Sequence, residues 1–264
     1  MQIVGISLVR NEDVHLEWAL RNALPFCDRL IVADHRSQDG TPRILQRMKE
    51  EHPHKLEVHI IEDPAESQTF LAPYMGQQTW VFGVDGDEIY DPAGLEKLRG
   101  LLLEGAFSDW WVVFGNVLNC TEIDRMEGYA KGYLAPPCRS MTKLYNFKMI
   151  ESWEASGQRL HGDRIHFRKG YDASLRLDLH QKVSWEESAF RCLHTCFLQR
   201  SSRESDDTGG EGRLNVSESR SVSRLRRLKA LLRTKLGSRP VSGWKEEKYR
   251  RGPLVRKDIR GFLP

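Results

Sequence analysis

Three acids, Asp85, Asp87 and Glu88, end the apolar run Trp80-Val81-Phe82-Gly83-Val84. Asp85 and Asp87 are two residues apart, so on a continuing strand their carboxylates share a face. Gly86 between them lets backbone or ligand approach closely. Two hard oxygen ligands on one side suit Mg²⁺ or Mn²⁺ that also holds a substrate phosphate. An isolated Asp-x-Asp reads as a solvated turn. Here the preceding run has the character of a parallel strand buried on both faces. Asp91-Pro92 then fits a helix cap with proline in the first turn. Open α/β sheets hold ligands at the carboxyl ends of their strands, which favours a site at these acids. An aspartyl phosphatase would carry Thr or Val where Ile89 stands, and Pro92-Ala93-Gly94 breaks the ligand ladder of an EF-hand.

Such a site needs a sheet to carry it, and the chain spells one out. Strands are expected at Gln2–Val9, Arg29–Ala33, Leu56–Ile61, Trp80–Val84 and Trp110–Leu118. Helical spacing appears in Leu16, Ala19, Leu20, Ala23 and Leu24, with Asn11 or Asp13 as cap, and again in Ile44, Leu45 and Met48 after Thr41-Pro42. Leu95, Leu98 and Leu102 mark a third helix, and 67–79 reads as a loop with a short helix. Alternating strands and helices predict an α/β fold with a mostly parallel central sheet flanked by helices. The polar loops 10–13, 34–40 and 85–88 then converge on one edge as a single pocket. Residues 120–139 read as an irregular excursion, and 141–147 and 158–167 as strands packing back. Little regular structure is expected beyond Gly237.

At 264 residues the chain suits one large domain plus a tail. With 39% hydrophobic and 29% charged residues it has the composition of a globular protein. The net charge of +3 conceals a division. From Arg213 onward there are 16 Lys/Arg and 4 Asp/Glu, a surplus of 12; residues 1–212 hold 24 and 33, a deficit of 9. The expected divisions are a catalytic domain over 1–200 (its nucleotide-sugar region over 1–120, its acceptor region over 121–200), a polar linker over 201–219, and a basic helix and tail over 220–264. Val222, Leu225, Leu228, Leu232 and Leu236 recur at helical spacing among arginines. That segment is either a helix docked on the domain or a basic amphipathic helix for an anionic membrane or acidic partner. Five cysteines without framework spacing suggest reduced thiols. With no signal-peptide pattern and no span-length apolar run, a cytoplasmic location is expected, peripheral at the inner membrane face if the tail binds lipid.

Three segments together carry a resemblance: Val9-Arg10-Asn11-Glu12, then Val32-Ala33-Asp34-His35-Arg36-Ser37-Gln38-Asp39-Gly40-Thr41, then Trp80 through Glu88. In this order and spacing they resemble a GT-A-fold (Rossmann-like) glycosyltransferase of the family-two type, over roughly residues 1–120 and more thinly to about 200. The resemblance implies a metal-dependent transfer, by inversion, of a sugar from a nucleotide-sugar donor to a saccharide or other hydroxyl-bearing acceptor, with no nucleic-acid partner. It assigns Val9, Arg10, Asn11, Glu12 and Asp34 to the nucleotide, with Asp39 and Thr41 holding the loop. Asp85 and Asp87 hold Mn²⁺ or Mg²⁺ on the diphosphate, Asp85 also facing the nucleotide, and Glu88 orients them or meets the sugar. His194 resembles a late histidine that reaches the metal or diphosphate; as a residue alone it reads equally as a core histidine. A general base near the acceptor is implied, Asp163 or else Glu154.

One departure stands out. Relatives often carry Arg or Lys between the third and fourth strands to meet the diphosphate, but residues 66–79 have neither. Tyr74, Gln77 and Gln78 are the polar groups there, and Arg10 or Arg200 would have to supply the cation. Two rivals remain at this point. A nucleotidyltransferase of the same fold wants a glycine-rich loop that Val9–Glu12 lacks. A non-catalytic nucleotide-sugar or membrane-surface binding protein would keep the fold without turnover.

Overall fold

The computed structural model describes residues 1–154, 160, 164–203 and 248–263. Strands β1 (Gln2–Val9), β2 (Arg29–Asp34), β3 (Leu56–Ile60) and β4 (Thr79–Gly83) alternate with helices α1 (Leu16–Ala23), α2 (Thr41–Glu51) and the single turn α3 (Glu66–Thr69). Then come β5 (Glu88–Tyr90), α4 (Pro92–Leu103), β6 (Val112–Phe114), β7 (Asn116–Asp124), β8 (Tyr129–Ala135), β9 (Lys143–Asn146) and β10 (Ile150–Trp153). Strands β11 (Ile165–Phe167), β12 (Arg176–Asp178), β13 (Arg191–His194) and β14 (Leu254–Asp258) complete the described strands.

The central sheet has seven strands in the order β12-β6-β9-β4-β1-β2-β3. Pairing is parallel at β12–β6, β4–β1, β1–β2 and β2–β3, and antiparallel on both sides of β9. The fold is thus α/β with a mostly parallel sheet flanked by helices, as expected. The β-branched run of β1 is buried from Ile3 to Val9, as a central parallel strand requires. Helix α2 turns Thr41, Leu45 and Met48 inward, a stripe at spacings of four and three.

A second sheet of five strands, order β14-β8-β7-β13-β5, was not anticipated. The expected fifth strand 110–118 is in fact two strands in different sheets, broken at Gly115. A Cβ at Gly115 would lie 2.1 Å from the Phe190 carbonyl oxygen, so the chain bends where only glycine fits. The supposed excursion 120–139 is largely the β7–β8 hairpin, hidden from a periodicity reading by its glycines and mixed charges. Of the strand expected over 158–167, only β11 forms among the described residues, paired with β10. Beyond Gly237, β14 closes the second sheet against β8. Phe82 on β4 packs edge-on against Tyr90 on β5 at 4.7 Å and against Phe26 at 5.1 Å, joining the two sheets through one aromatic core.

Candidate functional site

The first two polar loops are tied to each other before any ligand enters. Asn11, in a left-handed conformation at φ 53°, accepts from the Gln38 amide (2.7 Å) and its own amide donates to Ser37 Oγ (2.9 Å). The Glu12 amide donates to Thr41 Oγ1 (2.9 Å), and the Gly40 amide donates to Asp13 (2.8 Å). Neither Asn11 nor Asp13 caps α1, whose N-cap is His15 without a side-chain bond; both side chains face the neighbouring loop instead. Burial alone would raise the Asp13 carboxyl, but bonds from Ser202 and Gly40 outweigh it and hold the group below its ordinary value. Asp34, 3% exposed at the end of β2, accepts from the amide and hydroxyl of Ser37 (3.0 and 2.6 Å). Asp39 accepts from the Thr41 amide and from Ser201, so it holds its loop as expected. Val9 is buried and contributes backbone, its carbonyl accepting from the His35 amide.

The acids after β4 lie against this loop pair. Glu12 is buried, its Oε1 paired with Arg200, and its other oxygen packs on Gly86, where a Cβ would be 1.9 Å away. Arg200 Nε lies 3.3 Å from Asp87 Oδ2. The Asp87 carbonyl accepts from the Thr195 amide (2.9 Å), fixing the acid loop to the end of β13. Asp85 Oδ2 accepts from Lys143 Nζ (2.9 Å), a lysine only 6% exposed on β9. Glu88 is fully buried; desolvation pushes its carboxyl up to about 7 although Lys143 pulls it down. Its Oε2 accepts from the Tyr90 hydroxyl (2.9 Å), while Oε1 has no partner among the described residues. The Arg10 Nε–H is likewise buried without one. Asp91 is the N-cap of α4 but makes no capping bond; its Oδ2 accepts from two Arg191 nitrogens (2.6 and 2.9 Å).

His194, at the end of β13, registers beside both Glu88 and Asn119. Asn119 Nδ2 donates to the Tyr133 carbonyl (3.2 Å), so its Oδ1 is the atom facing His194 Nδ1 at 2.8 Å. Nδ1 therefore carries a proton, and in the neutral ring Nε2 is the acceptor. It faces Asp87 Oδ2 at 3.8 Å. Arg200 Nε approaches the same oxygen at 3.3 Å. Among the described residues no group of three or more His, Cys, Asp or Glu is placed to hold a metal ion. A partial protein shell suits Mg²⁺ or Mn²⁺, which take remaining ligands from water and substrate phosphate. Asp87 and His194 lie close enough for such a partial shell, whereas Asp85 Oδ2 is bonded to Lys143.

The other expected residues fall elsewhere. Glu154 stands at the end of β10, half-exposed, paired with Arg164 (3.2 Å) and near His166 (3.9 Å) of the same hairpin. Asp163 lies outside the described residues. The polar groups of 66–79 are not at the site. Arg29, at the start of β2, donates to the Tyr74 hydroxyl, and the Gln78 carbonyl meets the Gln2 amide at the start of β1, both at the opposite edge of the sheet. Sequence reasoning missed Lys143 and Asn119. A lone lysine in the otherwise uncharged run 141–147 was the available signal, since a buried charge needs a partner.

No model of a known protein family matches the chain, and no curated protein matches it. Solved structures do. One is TarS 1-349 of S. aureus in complex with UDP, 16% identical at a TM-score of 0.40, over 56% of this chain and 48% of that one. A second is the mannosyltransferase PcManGT of Pyrobaculum calidifontis with GDP-Man and Mn²⁺, 22% identical at 0.32, over 47% and 36%. A third is the glucosyl-3-phosphoglycerate synthase of Mycobacterium tuberculosis with Mn²⁺, UDP and phosphoglyceric acid, 20% identical at 0.32, over 43% and 42%. The match spans less than half the length of each.

Proposed function

We propose that the chain is a glycosyltransferase that takes a nucleotide-sugar donor and passes the sugar, with inversion, to an acceptor hydroxyl. The observation that carries this reading is the linkage of Glu12, Arg200, Asp87 and His194, with Asp34 at the carboxyl end of β2 and Asp85 just after β4. Asp34, with Val9 to Glu12, forms the cradle for base and ribose. Asp85, Asp87 and His194 would hold Mn²⁺ or Mg²⁺ against the diphosphate. When bound, that ion supplies positive charge to the leaving diphosphate as a Lewis acid.

The chain's own residues do the rest. Asn119 fixes the His194 tautomer, and Thr195 anchors the Asp87 backbone, so the ligand set is oriented in advance. The base that takes the acceptor proton is assigned to Asp163. Glu154 is the alternative, its carboxylate paired with Arg164 of the same hairpin.

Thermal shift with a panel of nucleoside diphosphates and Mn²⁺ tests the reading. A native-state ligand at a hundredfold excess over Kd adds about 2.7 kcal/mol of stability. One base should raise the melting temperature with Mn²⁺ present, and Asp87→Ala should abolish the rise. Equal shifts in Asp87→Ala, or with chelator, would sink this site. Transfer itself is tested by Asp163→Asn, expected to stop turnover while nucleotide binding persists. If only Glu154→Gln loses turnover, the base is Glu154. Nucleotide binding without donor turnover under any acceptor would make the chain a binding protein.

A further inference from the structure

Residues 248–257 hold five cations, Lys248, Arg250, Arg251, Arg256 and Lys257, and no acid. The stretch begins at the candidate site, where Tyr249 meets the His194 ring, and ends on the rim of the second sheet, where β14 pairs with β8. Tyr129, Lys131 and Tyr133 alternate along β8 and so share a face. In the antiparallel register Leu254, Arg256 and Asp258 stand directly opposite Tyr133, Lys131 and Tyr129, and join that face. The face reaches the site through Tyr133, whose partner on β7 is Asn119, the residue bonded to His194.

The cations here differ in what holds them. Lys131 shares Glu122 with the Tyr129 hydroxyl, and Arg260 takes Asp258, so both acids of the face are occupied. Lys257, on the other face, takes Glu186. Arg256 is exposed and bonds to no carboxylate among the described residues; its guanidinium lies over the Tyr129 ring at 3.8 Å. Arg250, also exposed, stands over Phe197 at 4.8 Å and Tyr133 at 5.9 Å. A ring contact of this kind orients a guanidinium without consuming its N–H donors. The oriented fork then fits a carboxylate or phosphate through two parallel bonds. Tyr129 and Tyr133 are four residues apart, about 13 Å along a strand. Two oriented cations on a face that leads to His194 suit an extended polyanion. A membrane contact wants an apolar face as well, and Leu254 is the one large apolar side chain this face exposes among the described residues.

We propose that the acceptor is an anionic saccharide, bearing carboxylate or phosphate groups, and that it lies along the β8–β14 face. Arg256 and Arg250 meet its charges, and its reacting end is directed toward His194. The acceptor role rests on the glycosyltransferase reading above; the binding face does not.

Fluorescence anisotropy on the full chain tests this with labelled oligogalacturonate, a phosphorylated dextran oligosaccharide and neutral dextran of matched length. At least one anionic oligosaccharide should bind, and which one binds tells carboxylate from phosphate. Neutral dextran should bind far more weakly, and added salt should weaken the anionic binding by screening exposed charge. Arg256→Gln should weaken it roughly tenfold, the size of one lost charge-assisted contact, and Arg250→Gln/Arg256→Gln should weaken it further. Arg260→Gln is the control, since that guanidinium already has Asp258. The substituted side chains are exposed, so an unchanged melting temperature shows that the variants fold. If neutral dextran binds as well as the anions, or Arg250→Gln/Arg256→Gln loses nothing, the proposal is overturned. Vesicles of phosphatidylcholine and phosphatidylserine binding where neither anionic oligosaccharide does would make the face a membrane contact and overturn it equally. If the anionic oligosaccharides bind through these arginines but no nucleoside diphosphate raises the melting temperature, the binding face stands and the donor reading fails instead.

Discussion

Gly86 carries the closest approach in the acid cluster. A methyl group there would stand 1.9 Å from Glu12 Oε2, and Glu12 is held in place by Arg200, which also reaches Asp87. A side-chain end can usually swing aside from an added Cβ. This one is buried and paired, so moving it strips Arg200 of a partner. Gly86→Ala should therefore cost about 1–3 kcal/mol of stability, the range for overpacking, and should weaken nucleoside-diphosphate binding in the same protein. Urea unfolding and calorimetry read the two effects separately. A Gly86→Ala protein as stable as wild type would show that Glu12 is not locked.

At the scale of elements, the junction of β6 and β7 decides the architecture. Gly115 passes so close to the Phe190 carbonyl that any side chain meets backbone, not a movable tip. The Asn116 amide donates to that same carbonyl (2.8 Å), and Ser140 Oγ donates to the Gly115 carbonyl (2.6 Å). Gly115→Ala should cost about 3 kcal/mol or more, exceeding the Gly86 change; the order of the two denaturation midpoints checks this. The same junction marks the limit of what the sequence discloses. Strands β1, β2 and β4 were legible because each is a dense apolar run that a parallel sheet buries on both faces, while the edge strand β3 showed only alternating apolar residues. The acids after β4 were legible for the same reason. The break at Gly115 was not, because a continuous apolar run looks alike whether it stays in one sheet or changes sheets. Nor was β9 beside β4, since pairing partners distant in sequence leave no local trace. That is why Lys143, sixty residues from Gly83 and bonded to Asp85, escaped the reading of the acid motif.

For the whole molecule, the distinctive contact joins its two ends. Trp18 Nε1 donates to the Phe262 carbonyl (2.7 Å), and Asn22 Nδ2 donates to the same atom (2.8 Å) and to the Tyr90 carbonyl (2.9 Å). The Phe262 ring stacks on Trp185 at 5.9 Å, and Arg256 and Lys257 lie on β14 beside β8. Tyr249 meets the His194 ring edge-on at 5.3 Å, so this segment also walls the candidate site. The leucine stripe at 220–236 lies outside the described residues. The described end of the tail is packed on the domain, with no helix among the described residues long and apolar enough to cross a membrane. Phe262→Ala should cost about 3–5 kcal/mol, as for a fully buried aromatic ring. Removing 248–264 should expose the groove between Trp18 and Trp185 and yield an aggregating protein; a soluble, normally melting truncation would contradict this. The contact also orders events during synthesis. Chains emerge at about 5–20 residues per second, amino end first. Helix α1 leaves the ribosome early, yet the backbone that pairs with Trp18 and Asn22 is made 240 residues or more later. For tens of seconds the nascent protein therefore carries an open tryptophan groove beside its acid loops. Chaperone capture during translation should concentrate at that face.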